Sequence, residues 1–243
     1  MIKLNPISGN DPALANSKLL DALYKTLSYA EEHNGIGLTA TKSFNRKFCH
    51  WAADNFAWPE YKPEKLLRFQ KVLNEDDVLP VMVLHDVLSS MKLGRHVKGK
   101  FQFSQKTKAH TQDRGRVFIE LAENYLFRFN HGNLRRHDFA APGNWDVWLN
   151  VINVEANQGT TDADLLQNFY GFAPEDHHDR EYWHYSGFLM WEVLKPLSWI
   201  GFLNETEVKG DEPLGRRIYT KTELWRKCLR LDTDQDLRPQ LVH

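Results

Sequence analysis

Hydrophobic and polar positions divide this chain into helix-length segments joined by short alternating runs. Ser17–Glu32 (SKLLDALYKTLSYAEE) puts Leu19, Leu20, Leu23, Leu27 and Ala30 on one face, the period of an amphipathic helix. His33-Asn34-Gly35 ends it, since glycine suits the left-handed position after a helix. A short strand, Ile36–Thr39, follows. Thr39 or Thr41 is placed to cap a helix running to about Phe56, whose Phe44, Phe48, Ala52 and Phe56 recur at i, i+4 spacing. Lys42, Asn45, Arg46, His50 and Ala53 lie mostly on the opposite side. Trp58-Pro59 closes a first unit, residues 1–59.

A second unit, 60–136, opens with a helix around Glu64–Leu73. Asp77 then caps a helix with Pro80 in its first turn, where a missing N–H costs little. Leu79, Val83, Val87, Leu88 and Met91 form its core face, and Leu93-Gly94 stops it. RHVKGKFQFS (95–104) reads as two strands about a Lys98-Gly99 turn. Ser104 can cap a basic helical turn, and Asp113–Phe129 carries Val117, Phe118, Leu121 and Tyr125 on one side. FNHGNLRRHDFAAPGN (129–144), rich in Gly, Asn and His and ending in Pro-Gly, marks the main boundary.

The third unit, 137–243, begins with a helix carrying Trp145, Trp148, Leu149, Ile152 and Ala156. A capped short helix (GTTDADLLQNFYG), an exposed loop (PEDHHDRE) and a long helix from about Glu181 to Trp199 come next. After Gly201, FLNETEV and RRIYT read as strands about the turn KGDEPLG, and Thr220 or Thr222 caps TELWRKCLRL. The acidic tail DTDQDLRPQLVH reads as frayed.

Helices, then a hairpin, then a Ser- or Thr-capped helix occur twice in full and once in part. This arrangement resembles the winged-helix superfamily of bacterial regulators, through LSSMKLGRHVKGKFQFSQKTKAH (88–110) and LSWIGFLNETEVKGDEPLGRRIYTKTELWRK (197–227). The helix start Leu38-Thr39 to Phe44 and Arg46 is also similar to that of uncharacterised bacterial proteins. The resemblance implies a fold that is mainly α with short β-hairpins, built as tandem winged-helix-like units, and it implies DNA binding. Arg217 departs from the pattern by standing where period-2 alternation expects an apolar residue.

Composition narrows the classes. At 42% hydrophobic and 26% charged, the chain is that of an ordinary globular protein. No window holds 18 consecutive apolar residues, so no membrane span is expected, and the N-terminus lacks a signal-peptide core, which points to the cytoplasm. Cys49 and Cys228 stand far apart without a CxxC partner, against a disulfide framework or a thiolate zinc site. The net charge of −1 divides into +7 over residues 1–136 and −8 over 137–243. A basic half suits phosphates; equally, basic and acidic modules can attract one another.

If the fold reads DNA, a cationic helix face and a wing must meet the duplex. The helix before the second unit's hairpin offers only His85, Asp86, Ser89 and Ser90, and its counterpart in the third unit is apolar nearly all round. Lys42, Asn45, Arg46, Lys47 and His50 fit bases or phosphates better. The wing adds Arg95, His96, Lys98 and Lys100, with Lys106 and Lys108 just beyond. The alternative reading of all these residues is a solvated basic surface.

His177, His178 and His184, with Glu175, Asp176 and Asp179, form the densest run of metal-type ligands, but without HExxH spacing; His131 and His137-Asp138 are weaker still. The chain contains no GxSxG, P-loop or GxGxxG motif, so no cofactor is expected. Cys49 and His50 are neighbours that point about 100° apart on a helix, a poor dyad. Glu75-Asp76-Asp77 reads as a loop and helix N-terminus. Trp145, Trp148, Trp183, Trp191, Trp199 and Trp225 fall in the acidic half, where a packed core or a protein-binding surface suits them better than base stacking.

The expected function is therefore non-enzymatic, regulatory binding of double-stranded DNA. The alternatives are an adaptor with a protein partner and a metal-dependent hydrolase using the 175–184 cluster.

Overall fold

A computed structural model describes residues 2–134, 139–208 and 216–237. The fold is mainly helical with two small antiparallel sheets. The chain forms two compact units, one of residues 8–125 and one of residues 1–7 with 126–243.

Residues 8–125 begin with α1 (Lys18–Glu32), started by the buried Ser17, whose hydroxyl accepts the Leu20 N–H. The helix buries the whole predicted face from Leu19 to Ala30, and Gly35 (φ +98°) takes the left-handed turn that follows. After β1 (Ile36–Gly37) come α2 (Arg46–Asn55), the short α3 (Pro63–Leu66) and α4 (Leu79–Ser90). The hairpin of β2 (Gly94–Val97) and β3 (Lys100–Phe103) follows, then α5 (Gln105–His110), capped by Ser104, and α6 (Arg114–Phe127). The sheet order is β1-β3-β2, with His96 opposite Phe101. Lys98 (φ +47°) and Gly99 (φ +75°) make the two positive-φ positions of a tight hairpin turn. Gly94 lies against the fully buried Phe101 ring, where an added Cβ would stand 2.1 Å from a ring carbon.

Several local expectations need correction. α2 starts at Asn45, whose side chain accepts the Phe48 N–H, rather than at Thr39 or Thr41. Thr39 instead bonds Thr41 and the Ser43 N–H within a turn, where Lys42 takes φ +70°. The helix expected over 64–73 stops at Leu66, and beyond it Leu67, Phe69 and Val72 are exposed, so no packed face holds the helix together. Asp77 caps a 3₁₀ turn, Glu75–Asp77, by accepting the Asn74 N–H; α4 itself starts only at Leu79.

The second unit repeats the order. It runs α7 (Trp145–Glu155), β4 (Thr160–Thr161), α8 (Asp162–Tyr170), α9 (Arg180–Phe188), α10 (Lys195–Ile200), β5 (Leu203–Val208), β6 (Arg216–Lys221) and α11 (Glu223–Cys228). Its sheet order, β4-β6-β5, matches that of the first unit position for position. The long helix expected from Glu181 to Trp199 is divided: between α9 and α10, Leu189–Leu194 widens into π-helix, and the Lys195 N–H bonds the Met190 carbonyl five residues back. Pro196 has no N–H to close the normal ladder, which accounts for the widening. Arg217 is accommodated by an ion pair with Glu205 at 3.0 Å across β5 and β6.

The expected turn KGDEPLG lies outside the described residues. Of the acidic tail, residues 232–237 are described and the remainder lies outside the described residues. Asp232–Gln235 forms a 3₁₀ turn, with the Thr233 N–H bonded to Asn150 and Asp234 bonded to Asn153. At the other end of the sequence, the Asn5 N–H donates to the Cys228 carbonyl at 2.7 Å, and Leu4 is buried. Trp148, Trp199 and Trp225 are buried in this unit, while Trp183 is exposed. Among the described residues no helix is long and apolar enough to cross a membrane.

Candidate functional site

The cationic residues singled out in the sequence separate into two groups. In the first, local structure uses the side chain. Asn45 caps α2; Arg46 Nε donates to Asn74 Oδ1 at 3.0 Å; His50 Nε2 accepts the Leu73 N–H at 3.2 Å. Lys100 Nζ donates to the His33 and Asn34 carbonyls at 3.1 and 2.9 Å, pinning β3 to the end of α1. Lys108 pairs with Glu31 at 2.8 Å. The second group comprises Lys42, Lys47, Arg95, Lys98 and Lys106, all exposed and without a side-chain hydrogen bond or ion pair among the described residues. Arg95 and Lys98 belong to the β2–β3 hairpin, and Lys42 and Lys47 to the turn and first turn of α2.

α4 occupies the position before the hairpin but is mostly buried. Val81, Val83, Leu84, His85, Val87 and Leu88 face the interior, and its exposed residues are Asp86, Ser89 and Ser90. No cation lies on that face.

One constellation here could not be read from sequence spacing. Glu75, in the acidic run taken for a loop, is 8% exposed and lies under α4. Its carboxylate accepts the Phe44 N–H and lies 3.1 Å, through each oxygen, from His85 Nδ1. His85, also 8% exposed, places its Nε2 3.3 Å from His96 Nε2 on β2. Partial desolvation lowers the pKa of His96, with the charges of His85 and Lys42 adding to the effect and that of Glu75 opposing it. The three residues come from a 3₁₀ turn, a helix and a strand, and nothing in their separation along the chain announces the contact. The sole clue was an acidic side chain standing just before an otherwise apolar helix.

The other expected clusters do not converge. The His177 and His178 rings lie 3.8 Å apart, tilted at 45°, in the turn before α9, and His184 leans on Phe139 at 5.4 Å. Among the described residues, no group of three or more His, Cys, Asp or Glu side chains is placed to hold a metal ion. The His131 ring stands 4.9 Å from Phe129, and His137-Asp138 lies outside the described residues. Cys49 is buried with its thiol directed at the Phe44 carbonyl, at 3.6 Å, and not at His50.

Comparison with known proteins follows the same two-part division. Residues 15–116 match the Y4jL N-terminal domain and residues 135–223 the y4jL C-terminal domain. The uncharacterized protein y4jL of Sinorhizobium fredii (strain NBRC 101917 / NGR234) is 36% identical over 165 residues, 68% of this chain and 75% of that protein. The chain belongs to the y4jL family. No solved structure matches it. Within the family's N-terminal domain fall the hairpin, the free cations and the Glu75–His85–His96 line; the C-terminal domain covers α7 to β6.

Proposed function

We propose that both units are winged helices and that the chain is a non-enzymatic, regulatory protein that binds double-stranded DNA through residues 8–125. The winged-helix reading rests on topology. Each unit runs helix, strand, three helices, strand, strand, with the sheet ordered first-third-second. Because fold alone does not assign function, the DNA reading rests on the site. Its carrying observation is the set of exposed, unpartnered cations Lys42, Lys47, Arg95 and Lys98, borne by the hairpin and the start of α2.

These side chains suit phosphates. With α4 buried and its open face carrying Asp86, base-edge reading has little to work with, so affinity comes from counterion release and falls steeply with salt. The test is titration of a labelled duplex with full-length protein across a salt series. Lys98→Asn is the better variant at the hairpin tip, because asparagine tolerates the positive φ that alanine does not. Lys98→Asn and Lys47→Ala should each weaken binding and reduce the salt slope by about 1. Absence of binding at low salt would overturn the reading.

An adaptor is favoured by a different observation. Phe69 is 89% exposed, with Leu67 at 40% and Val72 at 38%, and Lys65, Arg68 and Lys71 are interspersed among them. This is a segment suited to a partner with an apolar pocket and an acidic rim. Phe69→Ser separates the readings: it leaves duplex affinity unchanged under the first and removes protein association under the second.

A further inference from the structure

His85 and His96 meet through the same ring atom, Nε2, at 3.3 Å. A tetrahedral zinc holding two imidazole nitrogens at about 2.0–2.1 Å sets them about 3.3–3.4 Å apart. The same separation also fits a long ring-to-ring hydrogen bond, so it permits a shared ion without requiring one. The opposite nitrogen of His85 is already engaged. Its Nδ1 faces both oxygens of Glu75, so an Nδ1–H donates to the carboxylate and the Nε2 lone pair points at His96. A carboxylate behind one ring nitrogen and a ligand position before the other is how metal-binding histidines are oriented.

The rings are set in place without an ion. His85 stacks on Phe44 with centroids 3.9 Å apart. Phe101 stands edge-on to His85 at 5.4 Å and to His96 at 5.8 Å. Glu75 is itself oriented by the Phe44 N–H. His85 is buried on a helix, and His96 is exposed on a strand, where an ion can reach it from solvent. Against binding stands Lys42, whose charge is felt at His96 and is opposed only in part by the Glu75 carboxylate.

We propose that His85 Nε2 and His96 Nε2 are the two protein ligands of a divalent transition-metal site, with Glu75 orienting His85 and water filling the remaining positions. Two imidazoles with open positions suit zinc, copper or nickel rather than magnesium or calcium. With two protein ligands it is an open site, distinct from a closed structural zinc. A bound ion would fasten β2 to α4. The proposal does not depend on the DNA reading, since neither histidine is needed for the phosphate contacts argued above.

The experiment is calorimetric titration of zinc into untagged full-length protein after chelator dialysis. One zinc per chain is expected. His96→Ala, an exposed substitution that leaves the core intact, should abolish uptake, and Glu75→Gln should weaken it about 10–100-fold. A His177→Ala/His178→Ala variant should bind like the parent. No uptake at millimolar zinc, or uptake unchanged in His96→Ala, overturns the site whatever the duplex titration gives.

Discussion

Asn153 Oδ1 accepts the indole N–H of Trp225 at 3.0 Å, a buried hydrogen bond joining the end of α7 to α11. The same amide oxygen takes Lys221 Nζ at 3.1 Å, and the amide nitrogen donates to Thr233 Oγ1 and Asp234 Oδ1. Asn153 is 1% exposed, so its side chain spends its donors and acceptor entirely inside the protein. Asn153→Ala should therefore cost about 2–4 kcal/mol, because buried partners lose their bonds without regaining water. Lys221→Met, which removes one partner of several, should cost less. Denaturant unfolding followed by tryptophan fluorescence measures both; equal losses would show that Asn153 is not the hub.

Thr222 starts α11. Its hydroxyl accepts the Leu224 and Trp225 N–H groups and donates to the Gly201 carbonyl at 2.6 Å, closing the helix start onto the loop before β5. Thr222→Ala should lose about 1–2 kcal/mol and Thr222→Ser much less, as read by the midpoint of the same unfolding curve.

Burial raises the phenol pKa of Tyr61, Tyr125 and Tyr219, and pushes that of Tyr170 up to about 12, each from an ordinary value of 10.0. In the unfolded chain these phenols ionise first. The stability they contribute is thus complete below pH 10 and lost as pH rises beyond it. Ultraviolet titration at pH 11 should leave these four unionised in the native protein, and the unfolding midpoint should fall steadily above pH 10. Simultaneous ionisation of all eight tyrosines at pH 10 in folded protein would contradict this.

Burial, reinforced by the charges of Glu75 and Asp77, pushes the Cys49 thiol up to about 12. At pH 8 it is protonated and shielded, so a thiol reagent added to a Cys228→Ser variant should label it only as the protein unfolds. Labelling within seconds in buffer would place Cys49 at the surface.

The helices and hairpins were legible in the sequence because their signals are local. Leu19 to Ala30 marks a face by period alone, Lys98-Gly99 supplies the two positive-φ residues of a tight turn, and Ser104 caps α5 as its position implies. Errors arose where local signals competed. Thr39 and Thr41 are cap residues too, though weaker ones than Asn45, and the Leu38–Phe44 bridge, a pairing across the turn, occupies the segment before Asn45. The segment after Leu66 has helical periodicity but no surface to bury against. The candidate site was least legible. Arg46, His50, Lys100 and Lys108 have the charge or polarity of nucleic-acid contacts, yet each finds an intramolecular partner at a separation in sequence that no spacing rule detects. Glu75, His85 and His96 fail for the same reason.

The bond from Asn5 to the Cys228 carbonyl has a consequence for the order of assembly. Residues 1–7 are synthesised before 8–125 but complete a unit whose other residues are synthesised after it. The bond from Asn5 can form only after residues 8–125 and the chain as far as Cys228 have been made. Deleting residues 1–7 should therefore leave 8–125 largely untouched and weaken the unit that holds Cys228, more than a hundred residues further along the chain.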